Sequence, residues 1–390
     1  MSIRCRTYTN YEDFVNLKEQ WPEFDIRYYE TDFEYLSALY KENIGDGQLL
    51  TILLICSNGK NFIINGIIKH VEYSPKIAYF TLKLIRLKKK CFLVGPYSIL
   101  GEISDYTTAN DIEAALSRYC RENDIDYVYF TLLSKESLFT KYLSNLKNPL
   151  KRDPASLPEE HFLLEIPESL ESYLKTKDAK SRYNLKRIMK QLENTYPNNV
   201  NIRMFTEEKD VDVFCEHAEN IAQKSHLRPL NVGFRSTPTE IKKKKILANI
   251  GFFRSYILYL DGKPSAFICG ILYKKSFFTE HIGFDVQYER LSIGSYLLLK
   301  VIEDIASNRC AVTLDYSYGS DSYKKRFSSL LNEDIRIRLF IPKISNILFM
   351  MNIAFFNAIT NLIRKMLKKT GFYDNIRKKI RTMLRTLKEV

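Results

Sequence analysis

The amino-acid sequence predicts an α/β chain of two tandem domains, each a mixed, twisted sheet flanked by helices, followed by a helical basic tail. Three observations carry this expectation. The chain has 390 residues, 45% hydrophobic and 13% aromatic, enough apolar side chain for two cores rather than one. Short β-branched and apolar runs alternate with segments whose apolar residues recur at helical spacing. Glycine and proline are scarce, which excludes a disordered chain, yet Pro149, Pro154 and Pro158 fall together in a mid-chain loop. That loop, 148–160, sets a domain boundary and gives domains over 1–155 and 156–342 with a tail over 343–390.

In the first domain, residues up to about 26 form an entry segment. Thr31 or Asp32 caps a helix over 32–41. The runs 49–56 and 62–70, joined by Asn58-Gly59, read as a hairpin. Strands follow over 79–87 and 90–94, the second ending at Gly95-Pro96. A helix over 109–121, a strand over 126–132 and a helix over 137–146 complete the domain. No glycine-rich turn precedes the 109–121 helix, so this domain has no evident phosphate-binding turn.

The second domain opens with a strand over 162–166 and helices over 169–175 and 178–193. On the latter helix Arg182, Lys186 and Lys190 recur every four residues and share a face, with Arg187 beside them. This is either a solvated basic stripe or an anion-binding surface. A strand over 200–205 and helices over 211–225 and 239–250 come next. His217 and His226, on or just after the first of these helices, read as structural residues. Asp261-Gly262 between apolar runs marks a hairpin, and 277–284 is the following strand. A turn, Ser292-Ile293-Gly294-Ser295, then leads into a helix over 297–306 and a strand over 311–316. A helix N-terminus offers unpaired N–H groups and positive dipole character, and Ser292, Gly294 and Ser295 are small enough to admit a pyrophosphate.

Charge and cysteine usage narrow the partners. Net charge is +13, but the ten basic residues from Arg364 onward face only Asp374 and Glu389, so +8 lies in the tail and +5 in the rest. The seven cysteines are scattered with no Cys-x-x-Cys, which fits free thiols in a reducing compartment and no metal site. The N-terminus lacks an apolar signal region, which points to the cytoplasm. Residues 345–363 hold no charge and approach the length of a spanning helix, but Asn346, Asn352, Asn357, Thr360 and Asn361 argue against spanning. Two readings stay open: a helix lying on the inner membrane face with a basic end, or a helix packed against the second domain.

The order hairpin, strand, small-residue turn, helix, strand and Tyr-bearing helix resembles the core of the GNAT acyltransferase superfamily. That superfamily's acyl-CoA turn reads Gln/Arg-x-x-Gly-x-Gly/Ala. Glu289-Arg290-Leu291-Ser292-Ile293-Gly294 stands in this register; Gly294 fits, while Glu289 and Ser292 depart. The CelD-like and FemAB-like branch, with tandem GNAT domains, is closer. Its Ser-Pro-Gly turn and following Leu-Leu resemble Ser292-Ile293-Gly294 and Leu297-Leu298, with Ile293 replacing the proline. Its Asp-Phe-Gly…Tyr-Lys segment resembles Asp315-Tyr316-Ser317-Tyr318-Gly319…Tyr323-Lys324. The resemblance covers about 33–327, with the specific motifs inside 180–327.

The resemblance implies an acyl-CoA co-substrate, acetyl-CoA first, no metal, and transfer to an amine or hydroxyl of a sugar nucleotide or envelope polysaccharide precursor. Ser292, Ile293, Gly294 and Ser295 would hold the pyrophosphate. The base would be Glu280, His281 or Asp285. Strand alternation sends Glu280 and His281 to opposite faces, and Asp285 matches the family pattern best. Tyr323 would protonate the departing thiolate. Arg182, Arg187 and Lys324 would meet the acceptor, and Asp315 would orient the loop that carries Lys324. Two rivals follow: a FemAB-like transferase using aminoacyl-tRNA, the one reading that involves nucleic acid, and a non-catalytic, membrane-associated binding protein of the same fold.

Overall fold

In the computed structural model, residues 3–21, 28–56, 60–77, 80–81, 86–228, 233–319 and 321–369 are described. The Asn58-Gly59 turn, most of the expected strand 79–87 and the tail beyond 369 lie outside them. Contacts divide the chain into unit 1, Met1–Glu159 with Glu333–Val390, and unit 2, Glu160–Asn332.

Unit 1 contains β1 (Arg4–Tyr8), α1 (Tyr11–Val15), α2 (Phe33–Lys41), β2 (Gln48–Ile55), β3 (Asn61–Tyr73), the small hairpin β4 (Lys76–Ile77) and β5 (Phe80–Thr81), β6 (Leu87–Leu100), α3 (Tyr106–Glu122), β7 (Tyr127–Ser134) and α4 (Leu138–Ser144). Unit 2 contains β8 (Leu157–Glu165), α5 (Leu170–Lys175), α6 (Ala179–Thr195), β9 (Val200–Phe205), α7 (Glu208–Gln223), α8 (Pro238–Asn249), β10 (Ser255–Leu260), β11 (Lys263–Tyr273), β12 (Ser276–Phe284), α9 (Ile293–Asn308), β13 (Thr313–Tyr318) and α10 (Ser322–Phe327). The chain returns to unit 1 with β14 (Leu330–Phe340) and α11 (Ile344–Lys369).

The two units repeat one plan. In unit 1 the strand order is β1-β2-β3-β6-β7-β14, and in unit 2 it is β9-β10-β11-β12-β13-β8. Neighbours pair antiparallel except for one parallel pair in each unit, β6 with β7 and β12 with β13. A helix, α3 or α9, joins each parallel pair, as a parallel connection requires.

The sixth strands are exchanged. β8 follows α4 of unit 1 but pairs with β13, and β14 follows α10 of unit 2 but pairs with β7. The contact boundaries therefore fall at Glu159/Glu160 and Asn332/Glu333, where the sequence suggested 155/156 and 342/343. Ile335, Ile337 and Leu339 point into unit 1's core while Arg336 and Arg338 alternate with them, the pattern of a half-buried strand. β14 and β1 were not among the expected elements, and β6 runs through Gly95-Pro96 instead of ending there.

Unit 1's main core joins the sheet to α3 and α4. On a second cluster, Cys91, Tyr127 and Phe340 receive Phe349, Met350 and Ile353 of α11. In unit 2, α5, α6 and α9 cover one sheet face with apolar side chains such as Tyr173, Leu185, Leu192, Leu297 and Ile302. Phe214 of α7 meets Phe205 and Phe267 edge-on against the sheet.

Candidate active site

The site is built where the parallel pair of unit 2 opens. β12 and β13 are joined only over Ser276↔Thr313, Phe277↔Leu314 and Phe278↔Asp315. The Thr279 hydroxyl donates to the Asp315 carbonyl at 3.0 Å and closes the ladder. Beyond it β12 continues to Phe284 paired on one edge only, with β11. The other edge has no strand partner among the described residues, so an extended ligand could pair along it.

At the opening the strand bulges. Thr279 pairs with Gly270 and His281 with Cys269, so Glu280 is the extra residue. The bulge overrides strict alternation: Glu280 and His281 turn to the same side of the sheet, a correction to the expectation that they face opposite ways. Glu280 meets Lys244 of α8 at 3.2 Å and accepts from the Cys269 thiol at 3.3 Å. The His281 ring stands edge-on to Phe234 at 5.8 Å, and Lys244 lies over that same Phe234 ring at 5.7 Å. Lys244 is fully buried. Burial opposes its charge, but the Cys269 thiol and the carboxylates of Glu280 and Glu240 outweigh it, so the ammonium stays charged. Burial also lowers the pKa of His281 and favours its neutral imidazole.

The α9 N-terminus lies past the same strand. Ser292 adopts left-handed backbone angles, φ 53° and ψ 39°, where the family pattern places glycine. Its side chain accepts no capping hydrogen bond. Ser295 and Tyr296 N–H bond the Ser292 carbonyl, while the N–H groups of Ile293 and Gly294 have no backbone partner among the described residues. Ile293 is buried in the core, so within the turn it contributes its backbone. A Cβ on Gly294 would come within 3.2 Å of the Phe284 ring, so packing against Phe284 also explains why this residue is small.

Arg326 of α10 donates to Ser295 Oγ at 2.7 Å. It has no carboxylate partner among the described residues, and burial lowers its pKa. A guanidinium placed beside a helix N-terminus puts two positive groups together, an arrangement that an anion stabilises. The sequence reading missed Arg326. Its signal was position: it stands three residues after Tyr323, on the same face of α10.

The other expected site residues fall as follows. Asp285 is buried and caps the turn Val286–Leu291, accepting from the Gln287 backbone at 3.1 Å and its side chain at 3.0 Å, with Lys224 at 3.3 Å. Tyr323 packs edge-on to Tyr316 at 6.3 Å, and burial raises its phenol pKa. The Tyr316 hydroxyl beside it is buried with no hydrogen-bond partner among the described residues. Asp315 bonds His161 Nε2 at 2.9 Å and the Ser317 N–H at 2.6 Å, a buried structural pair joining β13 to β8. Lys324 is buried and donates to the Tyr318 carbonyl at 2.6 Å, which fixes the loop before α10. Arg182 is half-buried and Arg187 exposed on α6, which packs against α9 and the turn Val286–Leu291. The structure thus gathers Ser292–Ser295 with Arg326, and Glu280 with His281; Asp285, Asp315 and Lys324 are committed to holding turns and strands. Among the described residues no cluster has the makings of a metal site.

Residues 179–325 match the family model described as Acetyltransferase (GNAT) domain. These residues make up most of unit 2, whose strand order unit 1 repeats, so the chain has a fold of two like units, the second of which matches a GNAT domain. Two solved structures share that fold over most of their length. One is the C-terminal domain of a candidate lysylphosphatidylglycerol synthetase from Agrobacterium fabrum, 12% identical, TM-score 0.50, covering 88% of this chain and 96% of that one. The other is FemX, 8% identical, TM-score 0.52, covering 86% and 97%. No curated protein sequence matches the chain.

Proposed function

We propose that this chain is an acyl-CoA-dependent N- or O-acyltransferase, acting on a sugar nucleotide or envelope polysaccharide precursor. The observation that carries the reading is Arg326 against the uncapped start of α9: an exposed cation held on Ser295 Oγ stands beside a helix N-terminus whose Ile293 and Gly294 N–H groups have no backbone partner among the described residues. A pyrophosphate fits that charge and that geometry. The free edge of β12 suits a pantetheine arm, and the bound thioester would supply the activated acyl group.

The roles of this chain's residues follow from their surroundings. Glu280, paired with Lys244 at 3.2 Å, takes the proton of the acceptor amine or hydroxyl. Asp285 is set aside as the base because its oxygens already serve Gln287 and Lys224. Tyr323, kept protonated by burial, serves as the acid, with the unpartnered Tyr316 hydroxyl beside it. The test is thiol release from acetyl-CoA with amino-sugar and hydroxyl acceptors. Tyr323→Phe is expected to lower the rate by about 10²-fold with CoA affinity unchanged. A wild-type rate in that variant would leave Tyr323 as a packing residue.

A second reading draws on α6. Arg182, Lys186, Arg187 and Lys190 have no carboxylate partner among the described residues, which suits a nucleic-acid donor such as aminoacyl-tRNA. If that reading holds, charge reversal at Arg187 and Lys190 weakens tRNA binding and reduces its salt dependence. If it fails, tRNA binds neither protein and acetyl-CoA alone sustains transfer.

A further inference from the structure

α11 has two apolar faces. One is satisfied by unit 1: Phe349, Met350 and Ile353 enter the cluster of Cys91, Tyr127 and Phe340. Asn346, one of the polar residues that argued against a spanning helix, is fully buried. Its amide donates to the carbonyls of Asp126 and Ile341, both at 2.9 Å, and Lys89 donates to its side-chain oxygen at 2.7 Å. Lys343, just before the helix, pairs with Asp124 at 2.6 Å. The first half of the helix is thus fastened to unit 1, where one sequence reading had packed it against the second domain.

The opposite face holds large apolar side chains that stay exposed. Ile344, Leu348, Met351, Phe355 and Leu362 are each more than half exposed, and their spacings of three, four and seven residues keep them on one helix face. They form one stripe about 27 Å long. Apolar stripes of this extent are uncommon on a monomeric soluble surface. Elsewhere among the described residues, large exposed apolar side chains occur singly or in pairs, as at Leu330 and Leu331. By length and composition 344–363 could cross a membrane, but a face fastened to protein cannot also face lipid tails all round.

We infer that the outer face of α11 docks unit 1 onto an anionic lipid bilayer, lying along the interface and not through it. Charge selects the occupant. No charged residue interrupts 345–363, and the chain from Arg364 onward, which includes the exposed Lys365, carries the +8 excess. A second copy seated on the stripe in parallel would bring two such tails together. The stripe also lacks the flanking charges that specify a coiled-coil partner. A bilayer with anionic headgroups meets both needs at once: apolar side chains enter the acyl boundary and the basic end meets the phosphates.

The test is co-sedimentation of the full chain with vesicles of phosphatidylglycerol and phosphatidylcholine, compared with pure phosphatidylcholine. Leu348→Gln with Phe355→Gln changes only exposed side chains, and circular dichroism checks that the fold is kept. Wild-type protein is expected to bind the mixed vesicles, to lose about tenfold or more in the double variant, and to weaken only in part with added salt. Failure to bind mixed vesicles, equal binding to both vesicle types, or undiminished binding by the double variant would each overturn the inference. So would a wild-type dimer in solution that the double variant makes monomeric, since a second copy would then cover the stripe.

Discussion

The two units solve the same construction problem and finish it differently at one spot. In each, an antiparallel run ends in a parallel pair that opens after a few residues, a threonine hydroxyl closes the ladder, and a bulge follows. In unit 1 the ladder ends at Val94↔Phe130 with Thr131 donating to the Val94 carbonyl at 3.0 Å, and Asn65 then faces four residues, 95–98. Pro96 cannot donate to a ladder, so the bulge there is wide. In unit 2 a single residue, Glu280, is extruded. The helix after the opening differs more. Asp105 caps α3, accepting from the Thr108 N–H at 2.7 Å and its hydroxyl at 2.9 Å, so a carboxylate of the chain itself occupies that helix N-terminus. α9 has no such cap and has Arg326 instead. One fold therefore carries a capped and an uncapped copy of the same helix start, and the proposed anion site is the uncapped one.

This contrast can be broken at several points. The largest expected effect is at the bulge: Glu280→Gln should lower the transfer rate by about 10²-fold or more, with the KM for acetyl-CoA little changed. Rates equal to wild type would return the base to His281 or Asp285. Next, Asp105→Ala uncaps α3 and should cost about 1 kcal/mol in urea denaturation. It should create no second CoA site, because Asp105 is replaced by nothing resembling Arg326. A second site appearing in titration would show that an open helix N-terminus is sufficient by itself.

The smallest effect is a pH dependence confined to unit 2. Burial holds His281 below its ordinary 6.5, so the folded chain excludes a proton that the unfolded chain binds. Its contribution is complete above pH 6.5 and is lost as pH falls through the depressed value. His281→Gln should flatten the acid limb of the stability curve; an unchanged limb would assign it to other groups.

Much of this was legible in the sequence. Helix caps and periodicity located α2, α3, α9 and most strands, and the turn Ser292–Ser295 was found from small residues before an apolar helix. What was missed depends on long-range pairing. β14 takes its place beside β7 through strand exchange, which no local pattern announces. The Glu280 bulge comes from the register of β12 against β11, so the face of His281 was misassigned by simple alternation. Arg326 carries no motif of its own; it matters because α10 sets it against Ser295. Asp285, Asp315 and Lys324 have the right chemistry for a site, but the structure uses their charges to cap turns and join strands.

The central claim is that Arg326 and the start of α9 form one anion site. Calorimetric titration of CoA into wild-type protein and Arg326→Glu tests it most directly. One site per chain is expected, with affinity falling by about 10²-fold in the variant while circular dichroism is unchanged, since a carboxylate would then repeat at α9 what Asp105 does at α3. Equal affinity in the two proteins would contradict the account.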